Sequence, residues 1–317
     1  MDDADDLPRP EGTPDPGAPV AVIDLGTHSC LLLVGRAVDG RLELLDDRCE
    51  IPALGEGLAA SGRLGAGPRA RALEVLGEFA ARARAAGCAR ILATGTAAMR
   101  SASNADLLVA AARERHGLEL VVLPADREAL LAWRAAAGPG GDPGTRVVDV
   151  GGGSTEVAAA GGAARRSVPL GAVLLTEQAG PDATWEDLLG AARGALGAGP
   201  PLDAPPGPTV AIGGTATNLG SLGLGLAAFD HLAVEGARVP LAEARAWGER
   251  LAGMTPAERR ELPIEAARAV VLPAGLACLT AALERLGLGD DEPVEVTGRG
   301  LRHGLLAELL GLAPPGP

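Results

Sequence analysis

The chain has 317 residues, 47% hydrophobic and 22% charged, enough apolar material for about two domains with their own cores. All 28 basic residues are arginine, so a Walker-A phosphate loop and Schiff-base or pyridoxal chemistry, which need a lysine, are excluded. A formal net charge of −13 argues against a general nucleic-acid binder, and no apolar run reaches the roughly 18 residues of a membrane span.

Residues 1–17 read as a disordered leader, Pro-rich, with six acidic residues against one arginine. β-like runs follow at Val20–Asp24, Cys30–Arg36 and Arg41–Leu45, and Asp39-Gly40 joins the last two as a hairpin. A helix is expected from Gly67 to Ala86, a strand over Arg90–Thr94, a helix from Asn104 to His116 and a strand over Leu118–Leu123. The next helix runs from Asp126 into Ala137, with Asn104 and Asp126 as N-caps.

Pro139–Gly144 breaks the pattern, which restarts with strands Arg146–Val150, Glu156–Ala160 and Arg165–Val168 and helices to about Leu196. After the loop Pro200–Pro208 come a strand Thr209–Ile212 and mainly helix, apart from Val294–Thr297. Alternating strands and helices predict an α/β architecture. Domains are placed at 18–137 and 138–313. Cys30, Cys49, Cys88 and Cys278 lack any Cys-x-x-Cys spacing and are expected to be buried reduced thiols. With an acidic N-terminus where a signal peptide would be basic, the expected location is the cytoplasm.

Three turns, Asp24–Ser29, Asp149–Glu156 and Gly213–Asn218, each follow a β-run and combine glycine with Ser or Thr. Glycine permits positive φ and close backbone approach to an anion, successive amides form a nest, and hydroxyls add donors. Three such turns, two with an Asp at the strand end, suggest a multi-phosphate ligand.

The motifs Val22-Ile-Asp-Leu-Gly-Thr-His-Ser29, Thr94-Gly-Thr-Ala-Ala-Met-Arg100 with Asn104, Asp149-Val-Gly-Gly-Gly-Ser-Thr-Glu156 and Gly213-Gly-Thr-Ala-Thr217 occur in that order. Together they resemble the exopolyphosphatase/guanosine-pentaphosphate phosphohydrolase (Ppx/GppA) family over about residues 18–312. The resemblance implies two ribonuclease-H-like domains around a central cleft, as in the actin, sugar kinase and heat-shock chaperone superfamily. It also implies magnesium-assisted hydrolysis of terminal phosphate by water.

Carried over by position, Glu128 matches the catalytic Glu, Asp149 the magnesium-associated Asp and Glu156 a second acidic position, expected to be catalytic with Glu128. Asp24 stands at the equivalent strand end of the first half and is the other expected metal ligand. Expected phosphate contacts are Gly26, Thr27, Ser29, Gly151, Gly152, Gly153, Ser154, Gly213, Gly214 and Thr215, with Arg100 as the cationic clamp. The expected substrate is inorganic polyphosphate. Guanosine pentaphosphate, or a sensor that binds without hydrolysis, is the alternative. No nucleic-acid or membrane partner is expected, and a homodimer is left open. The chain departs from the family pattern at His28, Arg127, Leu130, Val270 and His303.

Overall fold

The computed structural model describes residues 17–138, 141–198 and 204–312. The expected leader, apart from Gly17, and parts of both turn-rich breaks lie outside these residues. By internal packing the chain divides into two compact units, the first running to Leu131 and resuming at Leu301, the second covering Ala132–Gly300.

The first unit begins with β1 (Val20–Leu25), β2 (Cys30–Val38) and β3 (Arg41–Glu50). Asp39 and Gly40 take the positive φ values, 51° and 71°, that a tight hairpin turn requires. A short α1 (Leu58–Ser61) and the long α2 (Ala66–Ala85) lead to β4 (Arg90–Gly95), α3 (Ala97–Ser101), α4 (Ala105–His116), β5 (Leu120–Val122) and α5 (Ala125–Ala137). The sheet order is β3-β2-β1-β4-β5, antiparallel through the hairpins and parallel from β1 to β5. β1 is buried along its whole length because it is central and apolar, whereas β3 is the exposed edge, where Asp46, Asp47 and Arg48 discourage further strand pairing.

The second unit repeats this plan. β6 (Arg146–Val150), β7 (Thr155–Ala159) and β8 (Ala164–Val168) form the meander, followed by α6 (Ala172–Ala179), α7 (Trp185–Gly197), β9 (Thr209–Ile212) and α8 (Gly213–Gly223). Then come β10 (Arg238–Pro240), α9 (Leu241–Ala252), α10 (Pro256–Arg259), α11 (Leu272–Arg285) and β11 (Pro293–Val296). Its sheet order is β10-β11-β9-β6-β7-β8. Apart from the added β10 edge, strand order and directions match the first unit, which gives two ribonuclease-H-like α/β units. α11 is apolar on nearly every side and buried along most of its length against the second unit's core.

The closing helix α12 (Leu301–Leu309) differs from expectation. Expected in the C-terminal domain, it completes the first unit: Leu301, Leu305 and Leu306 share a core with Val20, Val22, Leu33 and Leu92. The unit boundary likewise falls inside α5, between Leu131 and Ala132, not after Ala137.

Two expected caps also differ. Asn104 occupies the N-cap position of α4, yet its side chain makes no cap bond. It accepts from the Leu64 amide at 2.8 Å and donates to the Leu64 carbonyl at 3.0 Å. Asp126 lies inside the first turn of α5, which starts one residue earlier. Of the cysteines, Cys30 and Cys278 are buried, Cys88 is half-buried, and Cys49, on the edge strand β3, is exposed.

Candidate active site

The two meander turns superimpose in their chemistry. In the first unit the Gly26 amide donates to the Ser29 carbonyl at 2.9 Å, and in the second Gly151 donates to Ser154 at the same 2.9 Å. Asp24 pairs across the strands with Leu31, and Asp149 with Glu156. The fold is thus duplicated, but the facing acid exists only in the second unit.

Residues directly opposite on antiparallel strands point to the same face, with Cβ atoms about 4.5–5.5 Å apart, and two like charges there repel. Glu156 is 2% exposed and accepts a 2.6 Å hydrogen bond from the Ser167 hydroxyl, its own neighbour across to β8. Asp149 leans over the start of α8: a methyl group added at Gly213 would lie 2.8 Å from its Oδ1. Gly213 has φ 84°, a left-handed backbone that favours glycine.

A pair of facing carboxylates suits a hard divalent cation, and magnesium is usually held by one or two carboxylates plus water and substrate phosphates. No group of three or more His, Cys, Asp or Glu side chains gathers among the described residues. Asp24 faces Leu31 across the strands instead of an acid.

The glycine turn Gly151–Gly153 is clamped from behind. Ala172 donates to the Gly151 carbonyl at 2.9 Å, and Val173 and Leu174 donate to that of Gly152 at 2.9 and 3.1 Å. The amides of Gly152 and Gly153 donate to nothing among the described residues. Carbonyls turned to α6 and uncommitted amides are the polarity an anion needs. In the first unit the equivalent turn is braced by Ala53 and Gly55, whose amides donate to the carbonyls of His28 at 3.0 Å and Thr27 at 2.8 Å.

Two features of the expected phosphate loops change in detail. Among Gly26, Gly151, Gly152, Gly153, Gly213 and Gly214, only Gly213 is left-handed, so these glycines serve close approach more than positive φ. Gly213–Asn218 is not a loop but the first turn and more of α8, whose N-terminal amides and dipole favour an anion. Thr215 is buried with its hydroxyl against Gly275 of α11.

A cation missed from the sequence stands at that helix start. Any side chain at Gly214 would collide with the Arg268 guanidinium, which pairs with Glu265, and Glu265 in turn accepts from Asn218 Nδ2 at 2.9 Å. Only a resemblance between Arg268-Ala and the family's pattern hinted at this place.

Glu128 lies in the first turn of α5 and is 8% exposed. Arg100, from the last turn of α3, donates from one Nη to Glu128 Oε2 at 2.6 Å and to the Leu123 carbonyl at 2.9 Å. Burial raises the Glu128 carboxyl above the ordinary glutamate range, and the Arg100 charge and hydrogen bond oppose that rise. The departure at Arg127 has a local reason, since its guanidinium pairs with Glu308 of α12. Val270 is exposed, and nothing in the structure explains the Leu130 or His303 departures.

Two α/β units of the ribonuclease-H-like kind, each with a glycine turn beside a strand-end Asp, define a class of phosphate-handling proteins. Within it, the Ppx/GppA phosphatase family model matches residues 33–313, and the chain belongs to that family. It is 33% identical over 277 residues to exopolyphosphatase 2 of Mycobacterium tuberculosis, covering 81% of this chain and 87% of that protein. It is 29% identical over 299 residues to the guanosine-5'-triphosphate,3'-diphosphate pyrophosphatase of Photobacterium profundum, covering 92% of this chain but only 59% of that protein. The crystal structure of the Aquifex aeolicus Ppx/GppA family member aligns with a TM-score of 0.73 at 28% identity, covering 93% of this chain and 99% of that one.

Proposed function

We propose that the chain is an exopolyphosphatase that removes terminal phosphate from inorganic polyphosphate by attack of water. The observation that carries the reading is the buried Glu128 carboxylate, held at the head of α5 with its proton affinity raised by burial. A carboxylate of raised affinity is a better proton acceptor, provided it is ionised at the working pH. Water attacks the terminal phosphorus, its proton passes to Glu128, and the bond to the bridging oxygen breaks. One phosphate and a chain one unit shorter leave.

In the second unit the amides of Gly152 and Gly153 and the start of α8 with Arg268 are the groups suited to phosphate oxygens; in the first unit it is the Gly26–Ser29 turn. Asp149 and Glu156 would hold magnesium, with Asp24 as a further candidate, and the bound ion would neutralise phosphate charge. A cation held there would also offset the repulsion between the two facing carboxylates.

The choice of polyphosphate over guanosine pentaphosphate rests on the scarcity of stacking surfaces. Of the five aromatic residues, Phe79, Trp133 and Trp185 are buried in cores, Trp247 has Arg250 over its ring at 4.9 Å, and Phe229 is half-buried. A repeating anion needs no base recognition. The near full-length match to an exopolyphosphatase, against a partial one to the nucleotide-acting relative, supports the same choice.

The test is phosphate release from long-chain polyphosphate and from guanosine pentaphosphate, with magnesium in excess of total phosphate. A higher kcat/KM for polyphosphate is expected, and Glu128→Gln is expected to lower kcat by roughly 10²–10⁴-fold. Preference for the nucleotide overturns the substrate. Binding of both with hydrolysis of neither overturns the enzyme in favour of a sensor.

A further inference from the structure

Arg100, expected among the phosphate contacts, has two hydrogen-bond partners in the structure. One Nη donates at once to the Leu123 carbonyl, just past the end of β5, and to Glu128 Oε2, in the first turn of α5. The two acceptors bracket the β5–α5 turn, so a single planar group from α3 fixes both the turn's backbone and its carboxylate. The pair is well shielded, with side-chain exposure of 22% for Arg100 and 10% for Glu128.

Resting on the reading of Glu128 as the proton acceptor, we propose that Arg100 is a positioning residue for that carboxylate: it aims Glu128 and balances its charge. Burial, and the charge and hydrogen bond of Arg100, are what act on the Glu128 carboxyl. Asp126 is exposed, and Arg127 is turned to Glu308 of α12. Arg100 is the guanidinium that opposes the effect of burial on Glu128. Burial favours the neutral acid, and Arg100 works against burial.

Glu128 accepts a proton only when ionised, so kcat/KM falls as pH drops through its titration. Losing Arg100 removes the opposition to burial and moves that acidic limb upward. An opposite charge at such range shifts a carboxyl by roughly 1–3 units. A direct phosphate ligand would behave otherwise, raising KM at every pH without moving the limb.

The experiment compares wild type, Arg100→Ala, Arg100→Gln, Arg100→Lys, Glu128→Gln and the double variant Arg100→Ala/Glu128→Gln. Phosphate release from polyphosphate is followed across pH 5–9 at fixed free magnesium, with a thermal melt of each variant. For Arg100→Ala the acidic limb is expected to move up by roughly 1–3 pH units with KM on the alkaline plateau unchanged. Arg100→Lys, which keeps the charge, lies between it and wild type. Should Arg100→Ala not fold, Arg100→Gln carries the same expectation. The double variant is no slower than Glu128→Gln alone, because a positioning effect has nothing left to act through. An unmoved limb with KM raised at every pH, or losses that multiply in the double variant, overturns the proposal and makes Arg100 a phosphate ligand. Near-normal activity of Glu128→Gln is a separate result that overturns the base assignment itself.

Discussion

Gly171 touches no proposed substrate contact by side chain, yet Gly171→Ala is expected to damage the phosphate turn. Its backbone is extended, with φ −147° and ψ 179°, so alanine brings no torsional strain. The added Cβ would instead lie 2.5 Å from the Gly151 carbonyl oxygen, 2.6 Å from the Gly152 carbonyl carbon and 2.7 Å from the Gly153 amide nitrogen. Ordinary contacts begin at 3.4 Å, and all three neighbours are backbone, with no flexible side-chain end to swing aside. Turn and helix must therefore part by somewhat less than about 1 Å, lengthening the bonds from Ala172, Val173 and Leu174. Overpacking of this kind costs about 1–3 kcal/mol, or a fall in Tm of roughly 2–4 °C per kcal/mol for a unit of this size. Misplacement by ~1 Å can cost on the order of 10²-fold in rate. The assay is phosphate release at saturating magnesium beside a thermal melt. Gly190→Ala serves as the control, since Gly190 is exposed on α7 with nothing within 4 Å and should gain about 0.5–1 kcal/mol. If Gly171→Ala retains kcat/KM within twofold of wild type, the claim that the turn's exact seat governs phosphate binding fails.

Asp149→Asn should raise the magnesium concentration needed for half-maximal activity, measured by titrating the ion against phosphate release; an unchanged requirement with intact folding would make Asp149 structural. Gly304→Ala should lower stability by about 1–3 kcal/mol, read as a lower denaturant midpoint, because its Cβ would meet the Leu131 carbonyl oxygen at 2.4 Å. Thiol labelling at pH 8, followed by mass spectrometry, should modify exposed Cys49 first. Burial pushes the Cys278 thiol up to about 12 and the Cys30 thiol well above its usual value, so both should label only on unfolding.

The central strands were legible because β1, β6 and β9 are apolar runs bounded by glycine turns, and strand period and turn chemistry agree there. The three-residue β10 and five-residue α3 carry too few positions to show a period. Gly213-Gly214 read as a loop because glycine weakens helices, whereas here Gly213 has a φ of 84° that favours glycine and the Arg268 guanidinium lies over Gly214 at a helix start. Asn104 had the right residue type for a cap, but Leu64, 40 residues away, offers it two hydrogen bonds. The strand-end acids and glycine turns were visible in sequence. The Arg100–Glu128 and Arg268–Glu265 pairs were not, since which arginine meets which acid depends on tertiary placement.

The ownership of α12 has a consequence for how the chain is made. Val20, Val22, Leu33 and Leu92 are among the first apolar residues to leave the ribosome, but they share their core with Leu301, Leu305 and Leu306. Some 170 residues, the whole second unit, are translated between Leu131 and Leu301. At about 5–20 residues per second this interval lasts roughly 10–30 s. Throughout it one apolar face of the first sheet waits without its covering helix, open to chaperones or to another nascent chain. A nascent chain arrested at Gly300 should therefore bind a hydrophobic dye more strongly than one extended past Leu306.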